Sequence, residues 1–212
     1  MVPAGRLARP PTRHTKTRMA VMNHLHPRLD MPAAQRGATA VEFAMCAMFF
    51  FTFVFGMIEM SRALYLWNTM TEVTRRAARA AAVSAFDYAS KDLVRHHAMF
   101  DSTTLPLAGD ITDAHLAIDY LQSDGATPVV AMPLCPTANL INCTANPNGP
   151  SCILFVRVRL CLDGAGSCSQ IPYTTMTGLE NFVPGTFSFP RFTTISPIGS
   201  LGRRPGVTTT CP

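Results

Sequence analysis

A carboxylate stands at the start of the most apolar stretch of this sequence. Glu42 lies five residues after Gly37, and the sixteen residues from Phe43 to Ile58 carry no charge, with Thr52 their one clearly polar side chain. A carboxylate in an otherwise membrane-grade helix is costly and asks for a partner. Two readings of Glu42 stand side by side. As an acid in the first turn of a helix it gains a few tenths to about 1 kcal/mol from the macrodipole. Alternatively, a cut between Gly37 and Ala38 would leave an ammonium on Ala38, one helical turn from Glu42. In an array of subunits each carboxylate then neutralises a neighbour's ammonium, and the burial cost of both charges falls.

Cysteine is the second residue type with chemistry to offer. Cys46 falls in the apolar stretch, whereas Cys135, Cys143, Cys152, Cys161, Cys168 and Cys211 all fall in the C-terminal part. An even number in a compact extracytoplasmic domain reads as disulfides, and six cysteines allow 15 pairings. A clip from Cys161 to Cys168 across DGAGS is one plausible pairing, although sequence does not fix connectivity. Zinc is the alternative, but no CxxC occurs and no histidine follows Cys135, so the short-spaced ligand pairs of zinc sites are missing.

No catalytic constellation emerges. DGAG at 163–166 lacks the lysine and following helix of a phosphate loop, and no GxSxG, HExxH or calcium-loop pattern occurs. His96 and His97 are adjacent, so they point apart and chelate poorly; with His115 they have no nucleophile placed beside them. The expectation is a protein that is not an enzyme and carries no metal, cofactor or small-molecule substrate.

The elements that would position these residues follow from charge and periodicity. The net charge of +5 belongs to residues 1–37, where seven basic residues face Asp30 alone; beyond Gly37 eleven basic and twelve acidic residues nearly balance. Prolines 3, 10, 11, 27 and 32 and the lack of a hydrophobic period make this a disordered basic leader. It has no interleaved aromatics, which argues against a nucleic-acid arm. Ala38 to Ile58 is 21 residues, and about 20 cross the hydrocarbon core of a bilayer. A basic flank before the apolar run predicts a cytoplasmic N-terminus and an exported C-terminal domain.

The helix is expected to continue to about Ala89, on the order of 75 Å in all at 1.5 Å per residue. A small or apolar stripe recurs at Met60, Leu64, Trp67, Thr71, Thr74, Ala78, Ala81 and Ala85, with Arg62, Glu72, Arg75, Arg76 and Arg79 largely off it. Glu59 with Arg62, and Glu72 with Arg76, have helix-pairing spacing. The alanines at 77, 78 and 80–82 suit close packing, on the chain's own domain or on other subunits. Residues 90–112 read as polar and mixed, and 133–151 as a Pro/Asn/Cys loop. Strands are expected at His115–Leu121, Cys152–Leu162, Gln170–Met176 and Phe187–Ile195, with Val129–Met132 a short apolar run. In Cys152–Leu162 the even positions are apolar, while Arg157 and Arg159 face solvent or an interface. The tail after Ile195 reads as irregular.

The residues also carry a family resemblance. GATAVEF resembles the processing site of Flp-type prepilins and pseudopilins, in which a prepilin peptidase cuts after a glycine followed by four residues and then Glu-Phe or Glu-Tyr. The wider run RGATAVEFAMCAMFFFTFVFGMIEMSRALYLWNTMTEVTRRAARAAA is similar to the TadE-like domain of tight-adherence (Tad) pilus systems. The family commonly has proline where this chain has Met48, so a straighter membrane helix is expected. The resemblance implies processing at Gly37 and Ala38, with Glu42 and Phe43 as the motif's Glu-Phe. It implies partners in the prepilin peptidase, the inner membrane, other Tad pilus subunits and the assembly platform.

The expected fold is α+β and pilin-like: a leader over 1–37, a transmembrane helix over 38–60, its amphipathic extension over 61–90, and a disulfide-stapled antiparallel β domain over 91–212. The expected role is that of a structural minor pilin or pseudopilin, single-pass in the inner membrane. An uncleaved, signal-anchored exported binding protein is the alternative.

Overall fold

The computed structural model describes residues 33–164, 167–178, 187–203 and 206. Most of the expected leader, and Cys211, therefore lie outside the described residues. The chain divides into two compact units, Met1–Ala47 and Met48–Pro212. The fold is α+β, with one long apolar N-terminal helix, small antiparallel sheets and disulfide staples.

Helix α1 is Ala33–Val83, 51 residues. It begins four residues ahead of Gly37. No proline interrupts it, and the Thr52 and Ser61 hydroxyls each donate to the carbonyl four residues back, at 2.8 Å. α1 also stops six residues short of Ala89. The carbonyls of its last turn accept from the C-terminal segment instead: Gly199 and Leu201 donate to Ala82 O at 2.8 and 3.3 Å, and Gly202 donates to Val83 O at 2.8 Å. Only glycine fits at 202, because its φ is +84° and a Cβ would stand 2.8 Å from Ala85 N. The tail read as irregular is thus a cap on α1.

A second helix, α2 (Tyr88–Ala98), occupies the start of the stretch read as polar and mixed. Its signal is the N-cap: Asp87 accepts from Ser90 N at 3.0 Å. The Ser90 hydroxyl and amide together hold the Asp87 carboxyl below its usual pKa. The hairpin β1 (Thr104–Leu105) and β2 (Ala108–Thr112) follows. A three-stranded sheet holds β3 (Leu116–Leu121), β4 (Phe155–Leu160) and β5 (Thr193–Pro197), antiparallel in the order β3-β4-β5. Helix α3 (Pro136–Ala145) lies within the expected loop, with Cys135 as its N-cap and Pro136 in its first turn. Residues 170–176 form no strand; Pro172 makes a single antiparallel bridge to Ser188. Residues 129–132 form no strand either; beside them Pro128 makes one isolated antiparallel bridge to Leu121.

Disulfides join Cys143 to Cys152 and Cys161 to Cys168, with Cα atoms 4.8 and 4.5 Å apart. The first ties the last turn of α3 to the chain entering β4. The second closes the turn after β4. Cys135 is also disulfide-bonded, and Cys46 is free and exposed.

One face of the sheet is the core face. Leu116, Ile118 and Tyr120 of β3 stand opposite Leu160, Val158 and Val156 of β4, all buried. They share a single cluster with Leu66, Met70, Val73, Ala77, Ala78, Ala81 and Ala82 of α1. The upper part of the expected stripe is buried, at Thr74, Ala78 and Ala81, but its lower part is rotated: Met60, Leu64 and Trp67 are exposed, and Leu66, Met70 and Val73 take the core. From Met60 to Trp67 large apolar residues recur at Met60, Leu64, Tyr65, Leu66 and Trp67, on more than one side of α1, so the period there does not mark the packed face. On the other sheet face Arg157 and Arg159 are half-buried rather than free. Both bond one oxygen of Asp119 on β3, at 3.1 and 2.8 Å.

The rotation has a measurable consequence. Met70→Ala should cost about 2–5 kcal/mol, the range for emptying a packed site, whereas Leu64→Ala should stay within about 0.5 kcal/mol. Urea midpoints of the detergent-solubilised chain distinguish them, and equal losses would restore the expected stripe.

Candidate functional site

The first site residues lie near the start of α1. Gly37, Ala38, Glu42 and Phe43 are all helical and exposed. Gly37 is the poorest helix former in that turn, about 1 kcal/mol worse than alanine, and a Cβ there would meet nothing within 4 Å. Glu42 has no charged partner among the described residues, and Phe43 is 74% exposed. Beyond it Phe49, Phe50, Phe51, Phe53 and Phe55 also project outward. So large an apolar surface belongs in lipid or against other protein. Among the described residues this is the one helix long and apolar enough to cross a membrane, and it fits a single-pass anchor.

A second cluster sits farther along α1, where the apolar run ends. Glu59 is 7% exposed, and its carboxylate accepts from four donors. Arg62 Nη1 is at 3.1 Å and Met176 N at 3.3 Å, the Thr177 hydroxyl is at 3.2 Å, and the Tyr173 hydroxyl completes the set. Arg62 in turn spends its whole fork. Its Nε and Nη2 donate to Leu107 O at 3.0 and 2.8 Å, and Nη1 donates to Thr174 O at 2.7 Å. Its guanidinium also lies over the Tyr173 ring, 5.2 Å from the centroid. Burial, and then the bond to Glu59, push the Tyr173 hydroxyl's pKa up, so it stays a donor.

Three distant parts of the chain meet in this clamp: the exit of the apolar helix, the β1–β2 turn and residues 173–177. Leu107 has a φ of 63°, a conformation that costs a non-glycine residue about 1–2 kcal/mol. Its carbonyl is the one that Arg62 grips. Sequence reasoning found only the local half, the i,i+3 spacing of Glu59 and Arg62. Tyr173 carried no signal beyond its place in an expected strand.

The remaining candidates do not converge. His96 approaches Asp113 at 4.0 Å and His97 bonds Asp101, both on a solvated surface. Among the described residues no group of three or more His, Cys, Asp or Glu side chains could hold a metal ion. Cys143, Cys152, Cys161 and Cys168 serve as staples.

Residues 37–79 match the family model described as TadE-like protein. This segment is TadE-like. The TadE-like segment starts at the glycine before Ala38, contains Glu42 and the Glu59–Arg62 pair, and ends inside α1. The match covers about a fifth of the chain's 212 residues. No curated protein and no solved structure matches the chain.

Removing one side of the clamp should be expensive. Glu59→Ala leaves Arg62 buried without its counter-ion and is expected to cost about 3–5 kcal/mol. Tyr173→Phe removes one donor and should cost about 1–2 kcal/mol. Glu72→Ala is the control, since that pair is half exposed and 3.9 Å apart; its loss should stay below about 0.5 kcal/mol. Denaturant unfolding followed by tyrosine and tryptophan signals ranks the three, and a Glu59→Ala loss no larger than the control's would refute the clamp.

Proposed function

We propose that this chain is a minor pilin or pseudopilin of a Tad-type, type IV-related pilus. In this reading it is inserted with its N-terminus in the cytoplasm and its β-rich domain exported. A prepilin peptidase trims it after Gly37, and it then joins other pilus subunits at the assembly platform in the inner membrane. Its work is structural: it starts, caps or primes a filament whose output is adhesion. The observation that carries the reading is the TadE-like match, which begins at Gly37 and runs through the apolar helix into its amphipathic extension.

The chemistry of Glu42 supports the same role. After trimming, Ala38 carries an ammonium, and Glu42 lies one turn along with no charged partner of its own among the described residues. In hydrocarbon both charges are costly alone and far less so together. A neighbour that brings an ammonium to the depth of Glu42 lowers that cost, so assembly is favoured over loose monomers. The charge-free run from Phe43 to Ile58 keeps the pair in a low dielectric, where the attraction is strongest.

The test is the mass and N-terminal sequence of the membrane-extracted protein, expressed together with its prepilin peptidase. The expected N-terminus is Ala38. Gly37→Phe should abolish trimming without disturbing the helix, because the position is open on all sides. Glu42→Ala should permit trimming but lower piliation about tenfold or more. A wild-type protein that keeps residues 1–37 would instead be the uncleaved, signal-anchored binding protein, and unchanged piliation with Glu42→Ala would discard the pairing.

A further inference from the structure

Cys135 has a bond whose partner is not among the described residues. It is disulfide-bonded, and its sulfur is fixed at the N-cap of α3, where it accepts from Ala138 N at 3.4 Å. The sequence holds seven cysteines. Cys143 is joined to Cys152 and Cys161 to Cys168, while Cys46 is free. One cysteine is left to take the bond, Cys211. The groove beside α3 points the same way. Pro136, which directly follows Cys135, lines a cavity of about 500 Å³ together with Leu140 of α3 and with Ile198, Leu201 and Arg203 of the C-terminal segment. From Arg203 to Cys211 is eight residues, roughly 27 Å of chain when extended, which is ample to pass from one wall of that cavity to the other.

We propose that a Cys135–Cys211 disulfide makes the C-terminal segment a strap that holds the cap on α1 closed. The Ala82 and Val83 carbonyls accept from Gly199, Leu201 and Gly202, and Leu201 is buried. On one side this cap is anchored by β5, which pairs with β4 as far as Pro197. On the other side Cys211 follows nine residues after Gly202. A bond at Cys211 fixes that second side, so the cap cannot peel away from α1 by local opening. Helix α3 becomes the bolt. Cys135 at its N-cap takes the strap, and Cys143 in its last turn takes the chain entering β4.

Closing the strap is an oxidation. One of the two thiols, as its thiolate, attacks an exchangeable disulfide on a protein oxidant and forms a mixed disulfide; the other thiolate then attacks the first cysteine's sulfur and displaces the oxidant. The two cysteines give up two protons and two electrons, and the oxidant leaves as a dithiol. The strap therefore shuts in an oxidising compartment and opens in a reducing one. A reduced chain keeps its sheet but carries a cap pinned on one side. The bond follows from the cysteine count and not from the pilus-subunit reading, so either can fail without the other.

The full-length protein, extracted in detergent with its free thiols alkylated, is denatured and digested with trypsin without reduction. Cuts after Arg95, Arg157 and Arg203 put Cys135 on residues 96–157 and Cys211 on residues 204–212. Mass spectrometry should find these two peptides joined, and reduction should separate them. An alkylated Cys211, a link from it to the peptide that carries Cys161 and Cys168, or a Cys135–Cys135 link between two chains would overturn the proposal. Hydrogen exchange then reads the strap. Cys211→Ser should speed exchange at Gly199, Leu201 and Gly202 about tenfold or more beyond any change at Val156 and Val158 in the sheet. Cys135→Ser keeps a capping oxygen at α3, so it should give the same excess, and the double variant no more than either. Exchange at the cap that rises no more than in the sheet, in all three variants, would overturn the strap.

Discussion

Everything in this chain turns on one helix that has to satisfy two solvents, and the changeover is made by the Glu59 carboxylate. Below it α1 exposes phenylalanines; above it α1 buries Leu66, Met70 and a run of alanines in a β-sheet core. A helix can change environment anywhere, but a domain seated on it needs a fixed register. Glu59 and Arg62 supply that register because their hydrogen-bond partners come from the backbone of the β1–β2 turn and of residues 174–176 as well as from side chains. Backbone acceptors and donors cannot swing away as side chains can, so the clamp fixes the domain along the helix axis and around it.

The alanines set the depth of the seat. Ala77, Ala78, Ala81 and Ala82 bring the upper helix close to the sheet, and Thr74 meets Thr194 of β5 through a hydroxyl bond of 3.1 Å. Packing is tight where side chains are small, whereas the larger Leu66 and Met70 fill the wider space below. The opposite sheet face uses charge instead, with one aspartate shared by two arginines from the adjacent strand. That leaves an excess positive charge on the outer surface of the sheet.

Much of this was legible in the sequence where a single strong signal governs. The apolar run could only be a long exposed helix, and the alternation at Val156, Val158 and Leu160 could only be a strand with one buried face. Local spacing also flagged the Glu59–Arg62 pair. What could not be read depends on distant partners. The buried stripe of α1 is chosen by the sheet, and a helix apolar all round gives no hint of which side will be covered. Helix α3 was hidden because proline and asparagine usually mark loops, yet Pro136 suits a first turn and the Asn139 amide bonds both backbone groups of Ile153. The end of α1 is hidden because no proline or glycine follows Val83 before residue 90, and the residues that take over its carbonyls lie far along the chain. Near the start of the helix, Glu42 remains legible only as a carboxylate in want of a partner.

The cap on α1 has a bearing on the order in which the molecule is made. The Val83 carbonyl accepts from the Ser200 hydroxyl, 117 positions later in the chain, and from Gly202 N, while Gly199 N donates to Ala82 O. A contact this remote in sequence closes late. Until residue 202 has left the ribosome and, for an exported domain, the translocation channel, the last turn of α1 has unsatisfied carbonyls and the sheet has no β5. The domain therefore passes through biogenesis as an open chain hung from a finished anchor, and it latches only when its final segment arrives.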